Sequence, residues 1–126
     1  MSEGGALPKG ILVVDDDADA AQTFAYLLRQ LGHAVDYVTS PQLGLDVAKS
    51  MRPWLIFLDI GMPEMSGWEL AQLIRRELGH EKVRLIAVTG RGKPQDHQRS
   101  REAGFDAHVQ KPVDLHLRQS ILAQMN

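Results

Sequence analysis

Residues 54–67 read WLIFLDIGMPEMSG. Trp54 to Leu58 is an unbroken apolar run, as expected of a strand covered on both faces. The run stops at Asp59, and turn formers follow at Gly61, Pro63 and Gly67. Ser66 and Glu69 then stand at capping-box spacing, ahead of Leu70, Leu73 and Ile74. The stretch therefore predicts a buried strand with an acidic end, a loop and a helix.

The same unit recurs on both sides. Apolar runs at Ile11–Val14, Ala34–Val38, Leu85–Val88 and, more weakly, Ala107–Val109 complete a set of five with Trp54–Leu58. Between the first two, Ala21, Phe24, Ala25, Leu28 and Leu31 repeat on one helical face, with Gly32 as a stop. Ser40-Pro41 has the form of a cap with proline in the first turn, and Leu43, Val47, Ala48 and Met51 make the expected stripe. Pro94 is positioned to open a fourth helix, although Gln95 to Glu102 contains no apolar residue, so that helix is expected to pack shallowly. Asp114 is the expected cap of a last helix with Leu117, Ile121, Leu122 and Met125 inward. Five alternations of strand and helix predict a parallel sheet with helices on both faces and right-handed crossovers.

The 126 residues suit one domain, and 44% hydrophobic residues supply a core without a staple. There is no cysteine, which removes disulfide and thiolate chemistry and agrees with a cytoplasmic setting. The net charge of −2 gives no reason to expect nucleic acid or an anionic membrane as partner. No apolar run approaches the roughly 20 residues of a membrane span. Residues 1–8 lack an apolar core and read as a disordered lead-in, leaving 9–126 as the domain, with no output domain expected after Met125-Asn126.

In open parallel sheets ligands bind beyond the carboxyl ends of the strands. Here the first strand ends in Asp15, Asp16 and Asp17, the third in Asp59, the fourth in Thr89-Gly90, and the fifth near Lys111-Pro112. Crowded carboxylates repel unless a cation joins them, and a hard ion such as Mg²⁺ meets that need. The lysine and the hydroxyl add donors suited to a phosphoryl group.

ILVVDDD, LIFLDIGMPEMSG, LIAVTG and HVQKPVD together resemble the signature segments of response-regulator receiver domains, in that family's order and spacing, and the resemblance runs from Lys9 onward. It implies a doubly wound, flavodoxin-like α/β fold with strand order 2-1-3-4-5. It implies that Asp59 accepts phosphate from the phosphohistidine of a histidine kinase or phosphotransfer protein, in a switch that is not an enzyme. It implies that Asp16 binds Mg²⁺ directly, Asp15 through a metal-bound water, and Gly61 through its carbonyl. Thr89 and Lys111 are then the phosphoryl-binding partners, with a cis bond before Pro112. The surface near the fourth and fifth strands, with Thr89 and His108, is the expected switch. GFDAHVQKPVD is similar to receivers attached to hybrid sensor kinases.

Three positions depart from the commonest pattern. His108 stands where the family often has an aromatic that turns inward. Gly61 offers no side chain over the acceptor, and Arg91 is long and cationic. Plainer readings stand beside these. Asp15, Asp17 and Asp19 resemble a calcium loop, but Ala20 and Tyr26 occupy its glycine and glutamate positions; Asp17 and Asp19 are better helix-start acids. Asp15 and Asp17 also match the D-x-D of haloacid dehalogenase phosphatases superficially, without that family's late acidic motif. A phosphate-blind interaction module is the other rival. His33, His80, His97 and His116 read as surface residues, Arg91, Lys93, Arg99 and Arg101 as a solvated basic face, and Trp54 and Trp68 as packing.

Overall fold

Continuous apolar strands need cover on both sides, and the chain supplies it by alternating them with helices. In a computed structural model, the described residues are 10–62, 65–79, 82–90, 94–111 and 124. They form β1 (Ile11–Val14), α1 (Ala18–Gln30), β2 (Val35–Val38), α2 (Pro41–Met51), β3 (Leu55–Asp59), α3 (Gly67–Leu78), β4 (Arg84–Thr89), α4 (Pro94–Ala103) and β5 (Ala107–Gln110). The sheet is parallel throughout, in the order β2-β1-β3-β4-β5. The lead-in, Pro63, His80, Arg91, Lys93, Pro112, and the last helix expected after Asp114 fall outside the described residues.

Alternate strand residues serve opposite faces. Ile11, Val13, Leu55, Phe57, Ile86 and Val88 pack under α1, against Ala21, Phe24, Ala25 and Leu28. Phe24 and Phe57 meet at 4.7 Å between ring centroids. Leu12, Val14, Ile56, Leu58, Leu85 and Ala87 face the other way, toward Ala48 of α2, Leu70, Ala71 and Ile74 of α3, and Ala103 of α4. Among the described residues, no helix is long and apolar enough to cross a membrane.

The helix starts follow their caps. Asp17 accepts from the amides of Asp19 and Ala20, Ser40 from that of Leu43 with Pro41 in the first turn, and Ser66 with Glu69 closes a full capping box. Two expectations need correction. Trp54, read as the start of the third run, precedes β3, while Asp59 and Thr89 end β3 and β4 as expected and sit within the sheet register. In α2 the buried line is Pro41, Gly44 and Ala48, while Leu43 is 52% exposed. The helix approaches the sheet through Gly44, where a Cβ would lie 3.2 Å from both methyls of Val14. Close approach therefore falls to small residues, and Leu43 turns outward.

A buried arginine unrecognised in the sequence ties the far end of α3 to the strands. Arg75 follows Leu70, Ala71 and Ile74 on the inner face and is 8% exposed. Its Nε donates to the Gly104 carbonyl at 2.9 Å, Nη1 to the carbonyls of Gly79 and Val83, and Nη2 to Asp106 Oδ2 at 2.8 Å. The same Asp106 oxygen accepts the Leu85 amide, and Arg84 approaches its other oxygen at 3.7 Å. Burial pulls the Arg75 pKa down and Asp106 opposes the shift. Gly104 adopts φ +109°, and a Cβ there would meet Arg75 Cγ at 2.7 Å, so only glycine lets the α4–β5 turn close on this side chain.

Arg75→Ala would strand three carbonyls and a carboxylate that share one guanidinium. Asp106 is exposed and can be rehydrated, so the cost falls mainly on the stranded carbonyls, about 1–3 kcal/mol for a buried group left unsatisfied. A loss of that order is expected in urea denaturation. Arg75→Lys should recover only a minor part, because an ammonium lacks the planar fork that reaches all four acceptors.

Candidate functional site

The carboxyl ends of β1, β3, β4 and β5 lie side by side, and backbone bonds fix their heights. Asp15 N–H donates to Val38 O, Ile60 N–H to Val88 O, and Lys111 N–H to Thr89 O at 2.8 Å. Asp15, Asp59 and Thr89 are consequently buried although polar, at 4%, 9% and 5% exposure, while Asp16 is exposed. Carboxylate oxygens of Asp15, Asp16 and Asp59 all lie within 4.8 Å of one another. Lys111 Nζ stands 3.4 Å from Asp59 Oδ2 and 3.5 Å from Asp15 Oδ2. The residues that the sequence singled out on four different strands thus converge at one rim.

Each buried carboxylate is also oriented. Asp15 Oδ1 accepts the Asp17 amide at 3.0 Å, and Asp59 Oδ1 accepts the Gly61 amide at 2.9 Å. Gly61 is exposed, and a Cβ on it would sit 3.5 Å from Asp59 Oδ1, so glycine here leaves that oxygen uncovered. Gly67 closes the loop: a Cβ would meet Ile60 Cα at 2.6 Å and Asp59 O at 2.7 Å, so no larger residue allows α3 to start this near the end of β3. Asp17 takes no part in the cluster. Its carboxylate caps α1, as the helix-start reading expects and as a D-x-D catalytic pair would not.

The charges do not balance. Burial raises the Asp15 pKa, with the nearby Asp59 carboxylate adding to the effect, while the Asp17 amide and Lys111 oppose it. Burial alone would lower the Lys111 pKa, but Asp59 and Asp15 outweigh it and the net shift is upward. The two directions look inconsistent for ion-paired partners. They agree once one ammonium is seen to serve two carboxylates: the lysine gains from both, and each aspartate has only a share of it. Three carboxylates around one ammonium leave two negative charges, and every donor is a hard oxygen. Such a set is compatible with a divalent hard cation.

Away from the rim, His108 of β5 is half-buried rather than displayed. Its Nε2 lies 3.2 Å from Ser100 Oγ, and its ring stacks on His97. Ser100 and the His97 partnership escaped the sequence reading. The one available signal was a small residue, Ser100, three positions before Ala103 in a helix otherwise polar throughout.

Comparison with known proteins agrees with this fold. The chain is 34% identical over 104 residues to an uncharacterised 14.6 kDa protein of Leptolyngbya boryana, covering 82% of this chain and 79% of that one. It is 29% identical over 109 residues to the polar-differentiation response regulator DivK of Brucella anthropi, covering 86% and 89%. Among solved structures, a CheY-like receiver domain protein from Methanospirillum hungatei superposes with a TM-score of 0.86 at 28% identity, over 94% of both chains. A CheY-like receiver domain from Methylobacillus flagellatus gives 0.79 at 29% identity, over 95% of this chain and 100% of that one. Residues 11–122 match the family described as response regulator receiver domain, and with its flavodoxin-like sheet the chain belongs to that family of phosphorelay signalling domains.

Proposed function

We propose that Asp59 is the phosphoacceptor of this receiver domain and takes its phosphoryl group from a phosphohistidine on a histidine kinase or phosphotransfer protein, in the cytoplasm. The observation that carries the reading is the shared ammonium of Lys111, 3.4 Å from Asp59 and 3.5 Å from Asp15, beside an acidic cluster that includes Asp16. A carboxylate attacks an anionic phosphorus only where the charge of both partners is offset.

In this mechanism Asp59 Oδ2 forms the new bond to phosphorus. The phosphorus–nitrogen bond to the donor breaks, and the imidazole departs with the bonding pair and takes up a proton. The Gly61 amide holds Oδ1, which keeps the carboxylate turned toward the donor. Lys111 stays close to Asp59 and pairs with a phosphoryl oxygen. Thr89 donates its hydroxyl to another, from a buried position at the end of β4. Asp15, Asp16, Asp59 and the Gly61 carbonyl would hold Mg²⁺. The ion would supply positive charge to offset that of the carboxylates and the incoming phosphoryl group. The product is an acyl phosphate, which water hydrolyses, so the domain is a timed switch and turns over no separate substrate. The domain spans 9–126. The switched surface lies at β4 and β5, where Thr89 is on the strand next to the acceptor strand and His108 on the strand beyond it.

Incubation with acetyl phosphate and Mg²⁺ is expected to add one phosphoryl group per chain by intact mass, and Asp59→Asn to add none. Equal labelling of that variant would refute the assignment. A second outcome follows from the charge imbalance. A raised Asp15 pKa means that the folded state holds this proton more tightly than the unfolded chain. Stability therefore falls as pH rises from the ordinary aspartate range through the raised value, and at neutral pH the ionised group is a net cost. Asp15→Asn should raise the thermal midpoint by a few degrees at pH 7 without Mg²⁺, and should lose most of the further rise that Mg²⁺ gives the wild type. For scale, a ligand at a hundredfold excess over its dissociation constant adds about 2.7 kcal/mol. Melting curves of both proteins with and without the ion check both parts.

A further inference from the structure

The start of α3 is pressed onto the acceptor strand. A Cβ on Gly67 would lie 2.6 Å from Ile60 Cα and 2.7 Å from Asp59 O, and the Gly67 amide donates to Ile60 O at 3.4 Å. The first residue of α3 therefore rests on the backbone that carries Asp59, and a shift of one displaces the other. The next residue, Trp68, is joined to α4. Its indole N–H donates at 2.9 Å to the Oγ of Ser100, which is fully buried. Arg99 adds a second contact from α4 by lying over the Trp68 ring at 4.0 Å.

α4 has few other ways to be held. From Gln95 to Glu102 it has no apolar side chain, and Ala103, its last residue, is what it adds to the apolar core. Ser100 takes the place of an aliphatic contact. Its hydroxyl also lies 3.2 Å from His108 Nε2 on β5. One hydroxyl offers a donor and two acceptor sites, so it meets both neighbours at once, whereas the indole N–H can only donate.

We propose, on the reading of Asp59 as phosphoacceptor, that Trp68 and Ser100 are positioning residues of the acceptor site. Their hydrogen bond anchors the start of α3 on α4, and through Gly67 it sets where the Asp59–Ile60 backbone lies. Neither side chain belongs to the acidic cluster or to the Lys111 pairs, so the influence is conveyed by backbone position. The carboxylate of Asp59 follows its own backbone across a single methylene. Its Oδ1 accepts the Gly61 amide at 2.9 Å and its Oδ2 stands 3.4 Å from Lys111 Nζ, contacts whose strength depends on distance and angle. The rim is thereby connected to α4 through α3, by a route that does not include Thr89. Coupling of this kind is reciprocal. Breaking the bond changes the affinity of the rim for a phosphoryl mimic, and filling the rim changes the hold on α4.

The test measures the Kd of the full chain for beryllofluoride at saturating Mg²⁺, by titration followed in amide NMR spectra. Trp68→Phe keeps an aromatic ring beneath Arg99 and removes the N–H. Ser100→Ala removes the hydroxyl with little change in volume. Each is expected to change Kd about 2- to 30-fold, the scale found for residues that modulate coupling without touching the ligand. The double variant should change it no further, because both substitutions remove the same bond. Gln98→Ala, at an exposed position of α4, should leave Kd unchanged. In the reverse direction, beryllofluoride should alter the hydrogen-exchange protection of 94–103 in the wild type, and that response should shrink in both variants. Wild-type Kd values in Trp68→Phe and Ser100→Ala, even with lowered thermal midpoints, would mean a role in stability alone and would overturn the proposal. Additive changes in the double variant would overturn it as well, and both results leave Asp59 as acceptor. Failure of the wild type to bind beryllofluoride at Asp59 would overturn the phosphoacceptor reading and the coupling with it.

Discussion

A parallel sheet covered on both faces can accommodate charge only at its strand ends. In this chain the interior of β1, β3 and β4 is apolar on both sides, from Ile11 to Val14, Leu55 to Leu58 and Leu85 to Val88. The crossover helices carry the chain back to the opposite end each time, so all strands finish at the same rim. Asp15, Asp59 and Thr89 are the first polar residues past the apolar runs, and Lys111 follows β5 directly. Their convergence is a consequence of the fold's connectivity, and the spacing of four short motifs along the sequence is its linear record.

The rim is assembled against its own electrostatics. One ammonium serves two buried carboxylates, a third carboxylate lies close by, and burial penalises Asp15 in its charged form. Sheet packing supplies the free energy that keeps these groups together. A site strained in this way favours incoming positive charge, and that preference is what a phosphoryl-accepting carboxylate requires. On the proposed reading, stability and function are opposed at Asp15.

At the other end of α3 and along α4 the logic is different. The buried Arg75 guanidinium satisfies the surrounding carbonyls and is itself answered by Asp106, so it fixes the α4–β5 turn without leaving its charge unanswered. α4 itself is retained by Ser100, Trp68 and a pair of histidines in place of an aliphatic stripe. Polar contacts of this kind are directional, in contrast to the apolar seal that Phe24, Ala25 and Leu28 give α1.

Local chemistry fixed much of this in advance. Continuous apolar runs specify two-sided burial, Asp17, Ser40 and Ser66 specify where helices start, and the acidic and basic strand ends specify a rim that concentrates charge; all of these depend on a few neighbouring residues, so they are legible in the linear chain. What tertiary structure alone decided depends on distance between segments. Leu43 faces outward because Gly44 admits the sheet more closely than the hydrophobic stripe suggested. Arg75 is buried because Gly104 and Asp106, some thirty residues on, are brought beside it. His97 and His108 meet because the α4–β5 turn folds back to stack them, and neither residue carries any local mark of a partner that only the folded chain provides.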